Sequence, residues 1–145
     1  MALRVGQIYR HAKFYVDLRS GEMEPKFLLI LAAPAGDDLV VRLLTSRYAG
    51  LRPEVPPCYH GDPYAGFYLG VLGGELTAKS WLDLRYHVDL DLWDVQRELQ
   101  QGVLRFVMDV PAELLRPVLA CAANADDTTP NQGRKIRDAM AALAM

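Results

Sequence analysis

The chain has 145 residues, 51% of them hydrophobic, a formal net charge of −2 and two cysteines. That length fits about one domain, with enough interior to bury a core without staples. The near-neutral balance argues against an indiscriminate nucleic-acid coat, which carries a strong basic excess, and leaves room for a local basic groove. No apolar run approaches the ~20 residues of a membrane span. The opening Met-Ala-Leu-Arg-Val-Gly lacks the apolar core of a secretory signal. Cys58 and Cys121 are too few for a disulfide framework. The expected location is the cytoplasm, with no membrane association.

In chain order, Val5 to Arg10 and Lys13 to Leu18 are rich in Val, Ile, Tyr and Phe and predict two strands. Ser20-Gly21 opens a polar loop that Pro25 closes. Lys26 to Thr45 then carries two β-rich apolar runs around Pro34-Ala35-Gly36-Asp37, which predicts an antiparallel hairpin. With Ala35-Gly36 as the central turn residues, Lys26 faces Thr45, their Cβ atoms about 5 Å apart. Both end a stripe of Leu28, Ile30, Val41 and Leu43. The segment 47 to 64 is rich in proline and predicts a loop or edge, since proline cannot donate to a ladder. Gly66 to Leu72 predicts a strand, Gly73-Gly74 a turn, and Ser80 to Asp89 a strand pair or one bent strand.

The period then changes. Asp91 to Gln101 predicts a short helix with Leu92, Val95 and Leu99 on one face and Gly102 as C-cap. Val103 to Met108 predicts a strand, and Asp109 a cap for a helix from Pro111, with Leu114, Leu115, Val118, Leu119 and Ala122 on one stripe. Thr129-Pro130 starts a last helix with Ile136, Met140 and Leu143 at helical spacing. Strands first and helices after predict an α+β fold; the many short, bent strands favour a small half-closed antiparallel barrel over a flat sheet.

A lysine and a threonine at the rim of an apolar sheet face are suited to chemistry on a phosphate. Arg42, Arg47 and Arg52 crowd the region after the hairpin, and Arg134, Lys135 and Arg137 form a second cluster; each is expected to be a solvated surface charge. Tyr48, Tyr59, Tyr64 and Tyr68 offer faces for unpaired bases, or pack with their hydroxyls at the surface. Two triplets, Cys58-x-His60-x-Asp62 and His87-x-Asp89-x-Asp91, place metal-ligand types on alternate residues. Neither has the spacing of a known zinc motif, and the expected site holds no metal and no cofactor.

The order of landmarks resembles the MazF/PemK-like family, the endoribonuclease toxins of type II toxin–antitoxin pairs. Val5-Gly6-Gln7-Ile8-Tyr9 is similar to the family's opening strand. Lys26-Phe27 before Leu28-Leu29-Ile30-Leu31 stands where the family has Arg-Pro before an apolar strand. Leu43-Leu44-Thr45-Ser46 is similar to its strand ending in a Thr/Ser pair. Trp81-Leu82-Asp83-Leu84-Arg85 with Asp89 resembles its later strand, and Pro111 to Ala122 its closing helix. The likeness covers roughly residues 5 to 122. Lysine replaces arginine at residue 26, and the helix from Pro130 has no counterpart.

The resemblance implies an SH3-like barrel and a metal-independent cut of single-stranded RNA, leaving 2′,3′-cyclic phosphate and 5′-hydroxyl ends. It gives Lys26 and Thr45 the catalytic role, and Arg19, Ser46, Arg47 and Arg85 the binding of RNA; for Arg85 an ion pair with Asp83 or Asp89 is the competing expectation. The loop from Arg19 to Glu24 would lie over the groove. The implied partners are RNA, a small acidic antitoxin protein and a second copy in a homodimer. Two other readings stay open: a non-catalytic interaction module on the same barrel, and a metal-dependent hydrolase through His87, Asp89 and Asp91.

Overall fold

A computed structural model describes residues 3–16, 19, 21–61 and 64–143. In chain order the elements are β1 (Gln7–Val16), β2 (Met23–Ala32), β3 (Val40–Thr45), β4 (Cys58–Tyr59), β5 (Gly66–Gly70), β6 (Ser80–Asp83), α1 (Leu92–Gln100), β7 (Leu104–Asp109), α2 (Ala112–Ala123) and α3 (Pro130–Leu143). Among the described residues the strands form one antiparallel sheet of seven, in the order β4-β5-β6-β3-β2-β1-β7. The fold is α+β, as expected. β4 and β7 are separate edges, so among the described residues the sheet is not closed. No described helix is long and apolar enough to cross a membrane.

The two strands expected before residue 18 are one. β1 runs through both, and the polar break between them is a register shift from His11 to Tyr15. Pro25, expected to end a loop, lies inside β2, between Glu24 opposite Tyr15 and Lys26 opposite His11. A residue without an N–H fits such an irregularity. Leu18 and Ser20, expected at the strand end and loop start, lie outside the described residues. The Ser80–Asp89 segment pairs as a strand only to Asp83; beyond it the chain makes a single bridge, Leu90 to Leu39.

Alternation of side chains divides the hydrophobic residues between two faces. On one face Leu29, Leu31, Val40 and Leu44 pack with Val118 and Leu119 of α2 and Ile136 of α3. On the other, Leu28, Ile30, Val41 and Leu43 join Tyr9, Val95 of α1 and Leu104. The stripe expected at the end of the hairpin is thus the second face. α1 starts at Asp91, whose carboxylate accepts from the Asp94 amide at 3.0 Å. It ends as expected at Gly102, with φ +75°; the Gly102 amide bonds to the Leu99 carbonyl and the Val103 amide to the Glu98 carbonyl. α3 opens with a reciprocal cap: Thr129 Oγ1 accepts from the Gln132 amide (3.1 Å), and the Thr129 amide donates to Gln132 Oε1 (3.2 Å). Asp109, expected to cap α2, is instead the last residue of β7, opposite Gln7, and α2 has no side-chain cap.

Arg42 is fully buried in β3 and points to the α2/α3 side, not into solvent. Its guanidinium donates to the Val41 carbonyl (2.8 Å), to the His87 carbonyl (3.4 Å) and to Gln132 Oε1 (2.9 Å). Gln132 in turn donates to the His87 carbonyl and to Asp89 Oδ1. Lys135, also buried, reaches Asp89 at 3.2 Å and Asp37 at 3.5 Å. This network bolts α3 to β3, to the strap of residues 86–91 and to the hairpin turn. Gln132→Ala removes the acceptor of one guanidinium nitrogen, Arg42 Nη2, and leaves that buried donor unpaired, which should lower stability by about 2–3 kcal/mol. Urea unfolding checks this against Asp138→Ala, an exposed change on the same helix, expected to stay within about 0.5 kcal/mol.

Candidate functional site

The hairpin turn forms at the expected residues. The Asp37 amide donates to the Pro34 carbonyl at 3.2 Å, and Gly36 supplies φ +69°. The ladder then pairs Ile30 with Val41, Leu29 with Arg42 and Leu28 with Leu43, after an irregularity between Ile30 and Ala32. It ends there. Lys26 pairs across to His11 on β1, and Thr45 to Trp81 on β6. The expected side-by-side ladder pair is therefore not made. Both residues instead line a cleft beyond the last β2–β3 pair.

The cleft has two adjoining hollows of about 240 and 490 Å³, and Lys26, Leu44, Thr45 and Arg47 belong to the walls of both. Ser46 lines the smaller hollow. The larger adds Phe14, Tyr48, Tyr64, Asp83 and Arg85. Arg19 is exposed and lines neither. Of the six residues singled out from the sequence, five thus meet at one cleft.

Three cations and two carboxylates line it: Lys26, Arg47 and Arg85, with Asp83 in the larger hollow and Glu75, held by Arg105, in the smaller. Lys26 is half-buried, and desolvation pulls its amine below the ordinary lysine range. Arg47 pulls it further, Asp83 opposes and Arg85 adds to the lowering. Arg85 grips Asp83: its Nε lies 3.1 Å from each carboxylate oxygen and its Nη2 2.6 Å from Oδ2. That grip holds the guanidinium above its usual range. Thr45 Oγ1 accepts from the Arg47 amide at 3.2 Å, which orients the hydroxyl and ties Arg47 to the strand end. The hydroxyls of Tyr48 and Tyr64 bond to each other, and Tyr48 also donates to Asp83 Oδ2 at 3.4 Å. Burial first, then the Tyr64 contact, raises the Tyr48 phenol. The Arg85 and Arg52 guanidiniums lie 4.2 and 4.7 Å from the centre of the Tyr64 ring. A cationic floor beside phenol rings suits a phosphate joined to a flat, unpaired base.

The remaining candidates are elsewhere. The Tyr59 hydroxyl is buried against Gly66, where a Cβ would collide with it, and among the described residues it has no hydrogen-bond partner. Tyr68 packs on Trp81 with ring centres 4.8 Å apart. The His87, Asp89, Asp91 triplet is divided among structural tasks: Asp89 holds Gln132 and Lys135, Asp91 caps α1, and His87 Nδ1 lies 2.8 Å from the Val88 carbonyl. Sequence reasoning missed Phe14 and Asp83 as wall residues, and the opposed hydroxyls of Tyr48 and Tyr64. It also missed that Cys58 and Cys121 form a disulfide across a separation of 63 residues. In comparisons with known proteins, no family model, no curated protein and no solved structure matches the chain.

The opposed pulls on Lys26 give a signed expectation. Arg47→Gln should move the Lys26 titration to higher pH, and Asp83→Asn should move it to lower pH. The Lys26 Cε chemical shift followed against pH reads both directions.

Proposed function

We propose that this cleft binds single-stranded RNA and cuts it without a metal, as the toxin of a type II toxin–antitoxin pair with a MazF/PemK-like architecture. The observation that carries the reading is the meeting of Lys26, Thr45 and Arg47 on one cleft wall with two phenol rings beside them. In the proposed reaction the ribose 2′-hydroxyl attacks the adjacent phosphorus and the bond to the 5′-oxygen breaks. The products are a 2′,3′-cyclic phosphate and a 5′-hydroxyl. Lys26 and Arg47 face the non-bridging oxygens, where negative charge builds. The Thr45 hydroxyl donates a further hydrogen bond, and Tyr64 offers its ring to the flanking base. The same cations are complementary to an acidic antitoxin segment. A homodimer and an SH3-like curvature of the sheet belong to this reading through the resemblance, and action in the cytoplasm through the expectation from composition.

One observation favours a second reading. Arg85 is already paired with Asp83, and lysine at residue 26 lacks the planar fork of arginine. A cleft so equipped can bind RNA without cutting it.

Incubation with a long RNA in EDTA separates the two. Fragments with 5′-hydroxyl ends are expected, with Lys26→Ala and Thr45→Ala each lowering kcat/KM by about 10²–10³. Cleavage unchanged in both variants sinks the assignment, and binding without cleavage selects the second reading. A pH series adds a sign. Lys26 binds phosphate only when protonated, so KM should rise as pH climbs through its lowered pKa, earlier than for an ordinary lysine. Lys26→Arg keeps its charge throughout and should abolish that rise.

A further inference from the structure

We propose that Cys58, His60 and Cys121 form a zinc site when the disulfide between the two cysteines is reduced. Cys58 lies on β4, His60 just past its end, and Cys121 on α2. Their ligand atoms all fall within 4.8 Å of one another. Cys58 Sγ is already 3.3 Å from His60 Nε2. Zn–S bonds of about 2.3 Å and a Zn–N bond of about 2.0 Å place tetrahedral ligand atoms about 3.5–3.8 Å apart. The imidazole already stands near the required distance from Cys58; its approach to Cys121, up to 4.8 Å away, and the parting of the two sulfurs take a shift of about 1–2 Å once their bond is cut. Cys121 is buried, Cys58 half-buried and His60 exposed. A metal held there sits at the surface with its fourth position turned to water.

The chemistry is balanced by a thiol couple. A dithiol reductant supplies two electrons and two protons, the disulfide becomes two thiols, and the reductant closes its own disulfide. Zinc then displaces both thiol protons. In reverse, a small-molecule disulfide takes two electrons from the zinc-bound thiolates, the Cys58–Cys121 bond reforms, zinc leaves, and the oxidant departs as two thiolates that take up two protons from water.

The site has a structural reason to exist. β4 is only two residues long and forms an edge, paired on one side to β5. A strand that short holds itself poorly. The Cys58–Cys121 link fastens it to α2, and β4 belongs to the segment between Tyr48 and Tyr64 of the cleft. A disulfide is opened in a reducing compartment. Zinc on the same side chains would keep the fastening there.

The test uses the whole chain, reduced and then freed of reductant without air, and titrated with Co²⁺ as a spectroscopic stand-in for zinc. One equivalent should produce a thiolate-to-cobalt charge-transfer band with tetrahedral ligand-field bands, and Zn²⁺ should abolish them. The oxidised protein should give neither. His60→Ala, an exposed change that spares the core, should weaken Zn²⁺ binding by about tenfold or more in competition with a chromophoric chelator. Absence of the charge-transfer band in the reduced protein, or equal affinity in His60→Ala, overturns the proposal. Nuclease activity enters neither measurement, so this site stands or falls apart from the function assigned to the cleft.

Discussion

A charged guanidinium sealed inside the molecule governs how the rest is arranged. Arg42 occupies the middle of β3, between the apolar Val41 and Leu43, yet its own face is covered by α3. Burial disfavours its charge, and Asp89 pushes back. A guanidinium keeps its proton even so. The protein must therefore surround it with acceptors, and those come from distant parts of the chain: the Val41 and His87 carbonyls and the Gln132 side chain. Breaking such a set costs more than its net contribution to folding, because a buried donor left unpaired keeps its full desolvation penalty. The network thus specifies one docking of α3 more than it adds stability. β3 is held at its centre, and its end carries Thr45, Ser46 and Arg47 to the cleft.

This also accounts for the last helix. α3 caps itself with Thr129 and Gln132, and the same Gln132 amide meets Arg42 and Asp89. One side chain closes the helix start and satisfies the sheet. Without α3, Arg42 would face water and the sheet would lose the cover of Ile136.

Much of this was legible beforehand because it is local. The Ala35-Gly36 turn fixes the hairpin, and the alternation of Leu28, Ile30, Val41 and Leu43 fixes which face Lys26 and Thr45 share. Gly102 and Thr129 mark helix ends through backbone chemistry that depends on a few neighbours. What was not legible depends on separation in sequence. Arg42 sits in an apolar strand and Arg52 in a proline-rich loop, but that α3 would cover Arg42 is written ninety residues on, while Arg52 lies over phenol rings. The strand pair expected from His11's neighbourhood is one strand because a bulge absorbs the polar residues without a turn. Sheet closure is a global property of strand order, and short bent strands alone did not decide it. Phe14 and Asp83 reach the cleft through the register of β1 and β6, and Cys121 meets Cys58 only after α2 has packed on β5.

The strand order carries a consequence for how the chain is made. Of these seven strands β1 leaves the ribosome first, and one of its edges finds β2 almost at once. Its other edge waits for β7, with Gln7 opposite Asp109. Until that late strand is synthesised, a row of amides and carbonyls on β1 has no mate. Pairings this remote in sequence form slowly, and an open edge in the interval invites the wrong chain to complete it. The nascent protein is at its most vulnerable to misassembly in the stretch between finishing its hairpin and finishing its sheet.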